Sequence, residues 1–253
     1  MKVVKIFYIL SVLIFVCGCD LDRFPLDSLA PENYYNNREE LMIATNKFYS
    51  LFPTAEHLYG ETSDIIIPTV LIDEVQGIRT VPTSGGGWSW TSLSDINTYL
   101  MYSKRCADEM ARNEYNALAH FFRAFFYFEK IKRFGEVPWF DAPLSSTDAK
   151  LYELRTGRDE LMEHIRSDMD DAISFLPKEP NLYKVTKWSA LALKSRIFLY
   201  EGTYRKYHHI AGSDKFLQLA VDAAQEFVQN APYSIYAKGE KAYLSLFTSN
   251  KAI

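Results

Sequence analysis

The sequence lacks most of the features that mark an enzyme, a nucleic-acid-binding protein or a multi-span membrane protein. Its 253 residues carry a net charge of −4 with no long basic run, which argues against a partner whose binding depends on neutralising phosphates. The glycine-rich phosphate loops, the GxSxG nucleophile motif and the HExxH zinc motif are all missing. We therefore expect no catalytic residues, no cofactor and no metal site.

The only long apolar segment stands at the beginning of the chain. Lys2 and Lys5 precede the apolar residues Ile6–Val16, and this segment is shorter than the roughly twenty residues that a membrane-spanning helix needs. The stretch Val16-Cys-Gly-Cys19 resembles a bacterial lipobox, in which the last cysteine is lipidated and becomes the mature N-terminus. We predict a lipoprotein signal peptide over residues 1–18 and a lipid anchor on Cys19. The alternative is ordinary signal cleavage beside an incidental cysteine.

The low cysteine content also limits disulfide formation. Cleavage before Cys19 removes Cys17, and acylation of Cys19 leaves Cys106 as the remaining thiol, so no intrachain disulfide is expected. Cys106 lies within a helical pattern and is interpreted as a small core residue. Residues 19–36 are irregular and acidic and are expected to form a lipidated tether.

Helical spacing of apolar residues dominates the rest of the chain. Asn37 and Glu40 have the spacing of a capping box and predict a first helix that ends before Pro53. Thr186 is the expected N-cap of a later helix, and Gly202 is its expected end. Further helices are predicted over residues 94–112, 114–134, 159–176, 187–201 and 214–229.

Residues 53–91 have a different character. Two short β-prone runs occupy residues 65–67 and 70–72, and the glycine run at residues 85–87 leads into Trp88 and Trp90. A loop of this kind gives the two tryptophans little local framework for burial. We interpret it as a loop-rich insertion within a mainly all-α fold.

The series of alanine-rich and aromatic-rich helices is typical of stacked helix pairs. No strict repeat of thirty-four residues is visible, so we predict a degenerate tetratricopeptide-like helical array. Residues 119–140 contain nine aromatic residues in twenty-two positions. On a helix they cover nearly the whole circumference, which predicts a buried core helix rather than an exposed platform for a ligand. Arg123 lies inside this block and is expected to bind a carboxylate or helix-end carbonyls.

Several separated motifs, in the same order, resemble the SusD/RagB family of lipid-anchored nutrient-binding proteins of Bacteroidota outer membranes. The segments that carry the resemblance are Phe122–Phe128, Arg133–Pro138, Arg158–Pro177, Thr186–Ala190, Leu199–Tyr207 and, near the N-terminus, Asp20–Tyr35. The resemblance implies a helical, tetratricopeptide-containing fold over residues 37–253. Family members are usually much longer, so these residues are expected to be the N-terminal part of the fold, with its C-terminal half missing.

The resemblance also implies the function. Such proteins sit over a TonB-dependent, SusC-like transporter at the outer surface of the outer membrane, capture oligosaccharides or other nutrients, and catalyse no reaction. Trp88 and Trp90 are our candidate ligand-binding residues, because aromatic faces stack on the apolar faces of sugars. The alternative for these residues is that one or both pack onto the helical array.

Two other groups of polar residues receive a structural interpretation. Asp168, Asp170 and Asp171 are expected to lie on a solvated helix face. His208 and His209 are adjacent and lack other metal ligands at suitable spacing. Two rival functions stay open: a helical-repeat scaffold that docks proteins without a ligand site of its own, and a surface glycosidase.

Overall fold

The computed structural model describes residues 34–54, 71, 73–235, 239 and 244. Contacts along the chain divide it into Met1–Tyr34 and Tyr35–Ile253, and nearly all described residues belong to the second unit. The predicted signal peptide, Cys19 and the β-prone runs lie outside the described residues except for Leu71, so those predictions stay predictions. Within the described residues the structure is helical and has no strand, which confirms the mainly all-α class.

Seven α-helices and three short 3-10 helices are found among these residues. The α-helices are α1 (Arg38–Asn46), α2 (Asp73–Gln76), α3 (Thr91–Tyr102), α4 (Glu109–Phe134), α5 (Arg158–Phe175), α6 (Lys187–Tyr207) and α7 (Ser213–Asn230). The 3-10 helices are Lys47–Leu51, Ser103–Arg105 and Ala149–Tyr152. No helix of the described residues is long and apolar enough to cross a membrane.

The predicted caps of α1 and α6 are confirmed. The Asn37 side chain accepts a hydrogen bond from the Glu40 amide at 3.0 Å, and the Glu40 carboxylate accepts one from the Asn37 side-chain amide at 2.7 Å. Thr186 caps α6 as expected. These side chains satisfy backbone N–H groups that have no partner inside the helix.

The predicted helix over residues 94–112 is confirmed over residues 94–102, which belong to α3, but its continuation to residue 112 was wrong. The chain leaves α3 at Tyr102, and Cys106 is extended with a ψ angle of 118°. Asp108 then caps α4 by accepting a hydrogen bond from the Ala111 amide at 2.9 Å. Residues 109–112 therefore belong to α4, which begins earlier than predicted. Cys106 is fully buried, as expected for a core residue.

Gly202 lies inside α6 and does not end it. A Cβ atom added at Gly202 would meet the Leu217 side chain of α7 at 2.7 Å and the Leu217 backbone nitrogen at 3.0 Å. Glycine here allows α6 and α7 to approach closely, at a cost of about 1 kcal/mol in helix propensity. Gly202 was interpreted from the sequence as the end of a helix, but the structure shows that it allows close packing between two helices.

A bulky side chain at this contact is expected to separate the two helices. Gly202→Val is expected to lower the free energy of unfolding by about 1–3 kcal/mol through overpacking. Ala192→Val, at an exposed site on the same helix, is the control and is expected to cost less than about 0.7 kcal/mol, the penalty of a β-branched residue. Urea titrations compare the two, and equal losses would contradict packing as the reason for glycine.

Helix α4 forms the centre of the fold. It packs against α1, α3 and α5, while α6 packs against α5 and α7. Phe122 and Tyr127 are fully buried, and Phe121, Phe126 and Phe128 are nearly so. The aromatic run is therefore the core of the array, as predicted.

The predicted carboxylate partner of Arg123 is Asp168. Its two oxygens accept hydrogen bonds from Arg123 Nε at 2.8 Å and Nη2 at 2.6 Å, which ties α4 to α5. Asp168 is only 3% exposed, so its placement on a solvated face was wrong. A buried carboxylate at the edge of an amphipathic helix is stable here because the guanidinium binds it bidentately. Asp170 and Asp171 remain partly exposed.

A second buried ion-pair network joins α5, α6 and the start of α7. The Glu201 carboxylate accepts hydrogen bonds from Arg158 Nη2 and Arg205 Nε, each at 2.7 Å. Arg205 also binds Asp159 and donates to the Ala211 carbonyl at 2.8 Å. Glu201 is fully buried.

Candidate functional site

The loop before α3 is shaped by three consecutive glycines. Gly85, Gly86 and Gly87 all have positive φ angles, of 71°, 60° and 84°, which side chains other than glycine rarely adopt. The Trp88 amide donates a hydrogen bond to the Gly85 carbonyl at 3.0 Å and closes the turn. A Cβ atom on Gly87 would lie 3.2 Å from the Arg133 guanidinium, so the backbone passes closely over the end of α4.

Lys130 fastens this loop to α4. Its ammonium group donates a hydrogen bond to the Gly87 carbonyl, and the residue is only 8% exposed. The same ammonium lies 5.6 Å from the centre of the Trp90 ring and 5.7 Å from that of Phe134. Desolvation by burial, followed by the charge of Arg133, lowers the pKa of Lys130. Cation–π contacts and the carbonyl thus replace water around the charge.

The two tryptophans have different surroundings. Trp88 is 40% exposed and meets Trp90 and Phe134 edge to face, with ring centres 5.1 and 4.9 Å apart. Trp90 is partly buried and packs onto the array through Phe126 and Phe140, at 5.7 and 5.4 Å. One tryptophan therefore packs on the scaffold while the other presents its ring towards solvent.

The segment after α4, which includes Phe140 and Ala142, forms a wall of the site opposite the loop that carries the two tryptophans. Asn97 of α3 donates from its side-chain amide to the carbonyls of Phe140 at 2.9 Å and Ala142 at 3.3 Å. The Tyr127 hydroxyl accepts a hydrogen bond from the Phe140 amide at 2.7 Å, and burial raises the pKa of Tyr127. Two side chains of the core thus fix the position of Phe140.

Between the loop, α3 and this segment lies a cavity of about 420 Å³. Its size is within the range of small-molecule sites. Among its polar groups, the Thr91 and Ser94 hydroxyls make no hydrogen bond to any other described residue, and both residues are exposed. The lining is mainly apolar and comprises Trp88, Trp90, Thr91, Leu93, Ser94, Asn97, Pro138, Phe140, Ala142, Leu144 and Leu151.

Arg155 joins the outer edge of the site. Its guanidinium donates to the carbonyls of Phe134 at 3.4 Å and Glu136 at 3.2 Å, which lie at the C-terminal end of α4. Its Cζ atom lies 5.4 Å from the centre of the Trp88 ring. Arg155 therefore closes the end of the helix and contacts the exposed tryptophan at the same time.

Exposed aromatic faces, free hydroxyls and an apolar cavity suit non-covalent binding of a ligand with apolar and hydroxylated faces. Both predicted residues, Trp88 and Trp90, line the cavity. Sequence reasoning missed Phe140, Leu144 and Arg155, which lie far along the chain. Across the described part of the chain, no group of three or more His, Cys, Asp or Glu side chains is arranged to hold a metal ion.

Comparison with known proteins gives consistent results. Residues 89–199 match a family described as SusD-like, "Starch-binding associating with outer membrane"; this range includes Trp90 and stops short of Trp88. The chain is 25% identical over 230 residues to SusD-like protein P2 of Formosa agariphila, covering 81% of this chain and 45% of that protein.

The fold is shared with solved structures. A SusD-like protein of Bacteroides fragilis superimposes with a TM-score of 0.65 at 19% identity, covering 88% of this chain and 44% of that one. A SusD homologue of Bacteroides thetaiotaomicron gives a TM-score of 0.61 at 21% identity, covering 86% of this chain and 44% of that one. A laminarin-binding SusD-like protein gives 0.56 at 18% identity, covering 76% and 44%.

The family match, the curated relative and the shared fold agree, and each of them shows a similarity to SusD-like proteins. It spans less than half the length of the relatives that it matches.

Proposed function

We propose that this protein binds a glycan in the cavity beside Trp88 and Trp90. The observation that carries the proposal is the exposed Trp88 ring at the mouth of a cavity of about 420 Å³. A pyranose ring presents an apolar face that stacks on such a ring, and its hydroxyls find hydrogen-bonding partners in Thr91 and Ser94. The loop is fixed by Lys130 and by the glycine turn, so little ordering is needed when the ligand binds.

The cellular role follows from the family and the predicted leader. Lipidation of Cys19 anchors the protein to the outer membrane, facing the exterior. There the protein passes its oligosaccharide to a TonB-dependent, SusC-like transporter. The family description links its members to starch binding and to the outer membrane, and one solved relative is described as laminarin-binding, which supports a carbohydrate ligand.

Removal of the exposed ring is expected to weaken binding. Trp88→Ala should lower glycan affinity about tenfold to a hundredfold, because a stacked aromatic residue at the centre of a site contributes about 1–3 kcal/mol. Affinity electrophoresis against a panel of neutral and acidic polysaccharides, followed by isothermal titration of the best ligand, measures this loss.

Tyr183→Ala is the matched control, because Tyr183 is an exposed aromatic residue that lies outside the cavity lining. Its affinity is expected to equal that of the unmodified protein. Equal affinity of Trp88→Ala and the unmodified protein would count against the proposed site. Retention of a co-expressed transporter without any glycan binding would favour a docking scaffold, and sugar release by the purified protein would favour a glycosidase.

A further inference from the structure

Two arginines stand beside the aromatic rings of the site without a carboxylate partner. The Cζ atom of Arg155 lies 5.4 Å from the centre of the Trp88 ring, and that of Arg133 lies 5.9 Å from the centre of the Phe134 ring. Both arginines are exposed. Among the described residues, no carboxylate oxygen lies within 4.0 Å of the charged nitrogens of either side chain.

Two other partly exposed arginines of the fold, Arg38 and Arg166, are paired with carboxylates. Arg38 binds Glu114 at 2.9 Å, and Arg166 binds Glu163 and Asp170, each at 2.8 Å. The chain has more acidic than basic residues, so partners are not scarce.

The two acidic side chains nearest to Arg133 in sequence are engaged elsewhere. Glu129 binds Lys132 at 2.6 Å, and the Glu136 carboxylate accepts a hydrogen bond from the Arg158 amide at 3.2 Å. The buried ammonium of Lys130 adds a third positive charge next to the same rings, and it too has no carboxylate partner among the described residues. Three cationic side chains without a carboxylate partner among the described residues thus lie at the edge of the site, on a protein of negative net charge.

The surface shape continues the site past these charges. A groove of about 700 Å³ runs along the loop and the end of α4, and its lining includes Gly87, Lys130, Arg133 and Phe134. The Phe134 ring lies edge to face against Trp88, which lines the aromatic cavity. A chain of sugars stacked on Trp88 would therefore have one arginine on the cavity side and another along the groove.

We infer that the glycan recognised at this site is anionic, carrying carboxylate groups or sulfate esters. The inference rests on the proposed function and specifies its ligand class. A guanidinium group binds a carboxylate or a sulfate through two parallel hydrogen bonds. Arg155 uses one nitrogen for the carbonyls of Phe134 and Glu136, which leaves its other N–H groups for a ligand. A neutral glycan offers only hydroxyl groups, which form weaker hydrogen bonds with a guanidinium group than an anion does.

Matched polymers that differ only in charge test the inference. Polygalacturonic acid is compared with its methyl ester, and dextran sulfate with dextran, by isothermal titration of the purified protein. The charged member of at least one pair is expected to bind about tenfold tighter or more, with an affinity that falls as salt rises. The two pairs distinguish a carboxylate from a sulfate. Polyglutamate, which has the charge without the sugar, is expected to bind weakly.

Single charge-neutral variants identify the residues. Arg133→Gln and Arg155→Gln are each expected to weaken binding of the charged polymer about threefold to tenfold, and to weaken binding of the neutral polymer less, because the neutral polymer forms no ion pair with either side chain. Lys206→Gln is the control, since Lys206 is an exposed cation near the end of α6. Unlike Arg155, Arg133 donates no hydrogen bond to a described carbonyl. Its variant therefore tests the effect of the charge without removing a contact to the backbone.

The inference is overturned if the neutral polymers bind as tightly as the charged ones, if polyglutamate binds equally well, or if both arginine variants bind like the control. If the neutral polymers bind as tightly as the charged ones, or if both arginine variants bind like the control, a loss of binding in Trp88→Ala would still support the proposed function. If no polymer of either kind binds, the proposed function fails and the inference fails with it.

Discussion

Glu201→Gln is expected to lower the free energy of unfolding by about 3–5 kcal/mol, which is the cost of removing one partner from a buried ion pair. Glu201 lies between Arg158 and Arg205, whose side chains are only 12% and 4% exposed. With a neutral amide at position 201, Arg158 would keep its contact with the Tyr204 ring but would have no carboxylate. Because the network joins α5, α6 and the start of α7, the loss should affect the whole C-terminal side of the array.

Glu226→Gln is the matched control for this experiment. Glu226 pairs with Lys187 at 2.7 Å between α6 and α7, but its side chain is 40% exposed. Exposed pairs contribute about 0–1 kcal/mol, so this variant should unfold almost like the unmodified protein. Chemical denaturation followed by circular dichroism measures both variants. A loss of stability in Glu201→Gln no larger than that in Glu226→Gln would contradict the stabilising role that we assign to the buried network.

Asp168→Asn is expected to have a comparable effect on stability and an additional effect on the site. The variant leaves the Arg123 guanidinium, 11% exposed, without its carboxylate, at a cost of about 3–5 kcal/mol. Arg123 Nη1 also donates to the Asn97 side-chain oxygen Oδ1 at 3.5 Å, and the Arg123 Cζ atom lies 5.2 Å from the centre of the Trp139 ring. Since Asn97 holds the wall that carries Phe140, movement of Arg123 should widen the cavity and weaken glycan binding.

The control for this prediction removes an exposed carboxylate from another helix. Asp222→Asn on α7 is expected to leave both stability and glycan affinity unchanged, because Asp222 is exposed and contacts only Gln218. The double variant Arg123→Met with Asp168→Leu is expected to recover part of the lost stability, since it removes both buried charges together. Full stability in Asp168→Asn alone would refute the role assigned to the pair.

The sequence was sufficient for the fold class because the apolar pattern of α4, α5 and α7 has a clear helical period. It was insufficient for the ends of α3 and α6. The break at Cys106 depends on the cap that Asp108 provides, and the continuation of α6 through Gly202 depends on Leu217 of a different helix. Local propensity contains no information about such contacts between helices.

The candidate site likewise contains some residues that the local sequence identifies and others that only the tertiary structure identifies. Trp88 and Trp90 were identifiable because a glycine run places them in a loop. Arg155 had no sequence signal, since its importance arises only where its segment returns to the end of α4. Asp168 was misassigned because its burial depends on Arg123, which is 45 positions away in the chain.

The antiparallel bridge between Val137 and Thr156 has a consequence for the wall of the proposed glycan site. The Thr156 amide donates to the Val137 carbonyl at 3.1 Å, and the Thr156 hydroxyl accepts from the Trp139 amide at 3.0 Å, so the two ends of the intervening segment are held together. That segment supplies Leu144 and Leu151 to the cavity. Because the entropy cost of a closed loop grows only slowly with its length, insertions between these ends reshape the cavity wall while the helices stay in place. Changes in the length of this loop are therefore expected to alter the proposed glycan site with little loss of stability.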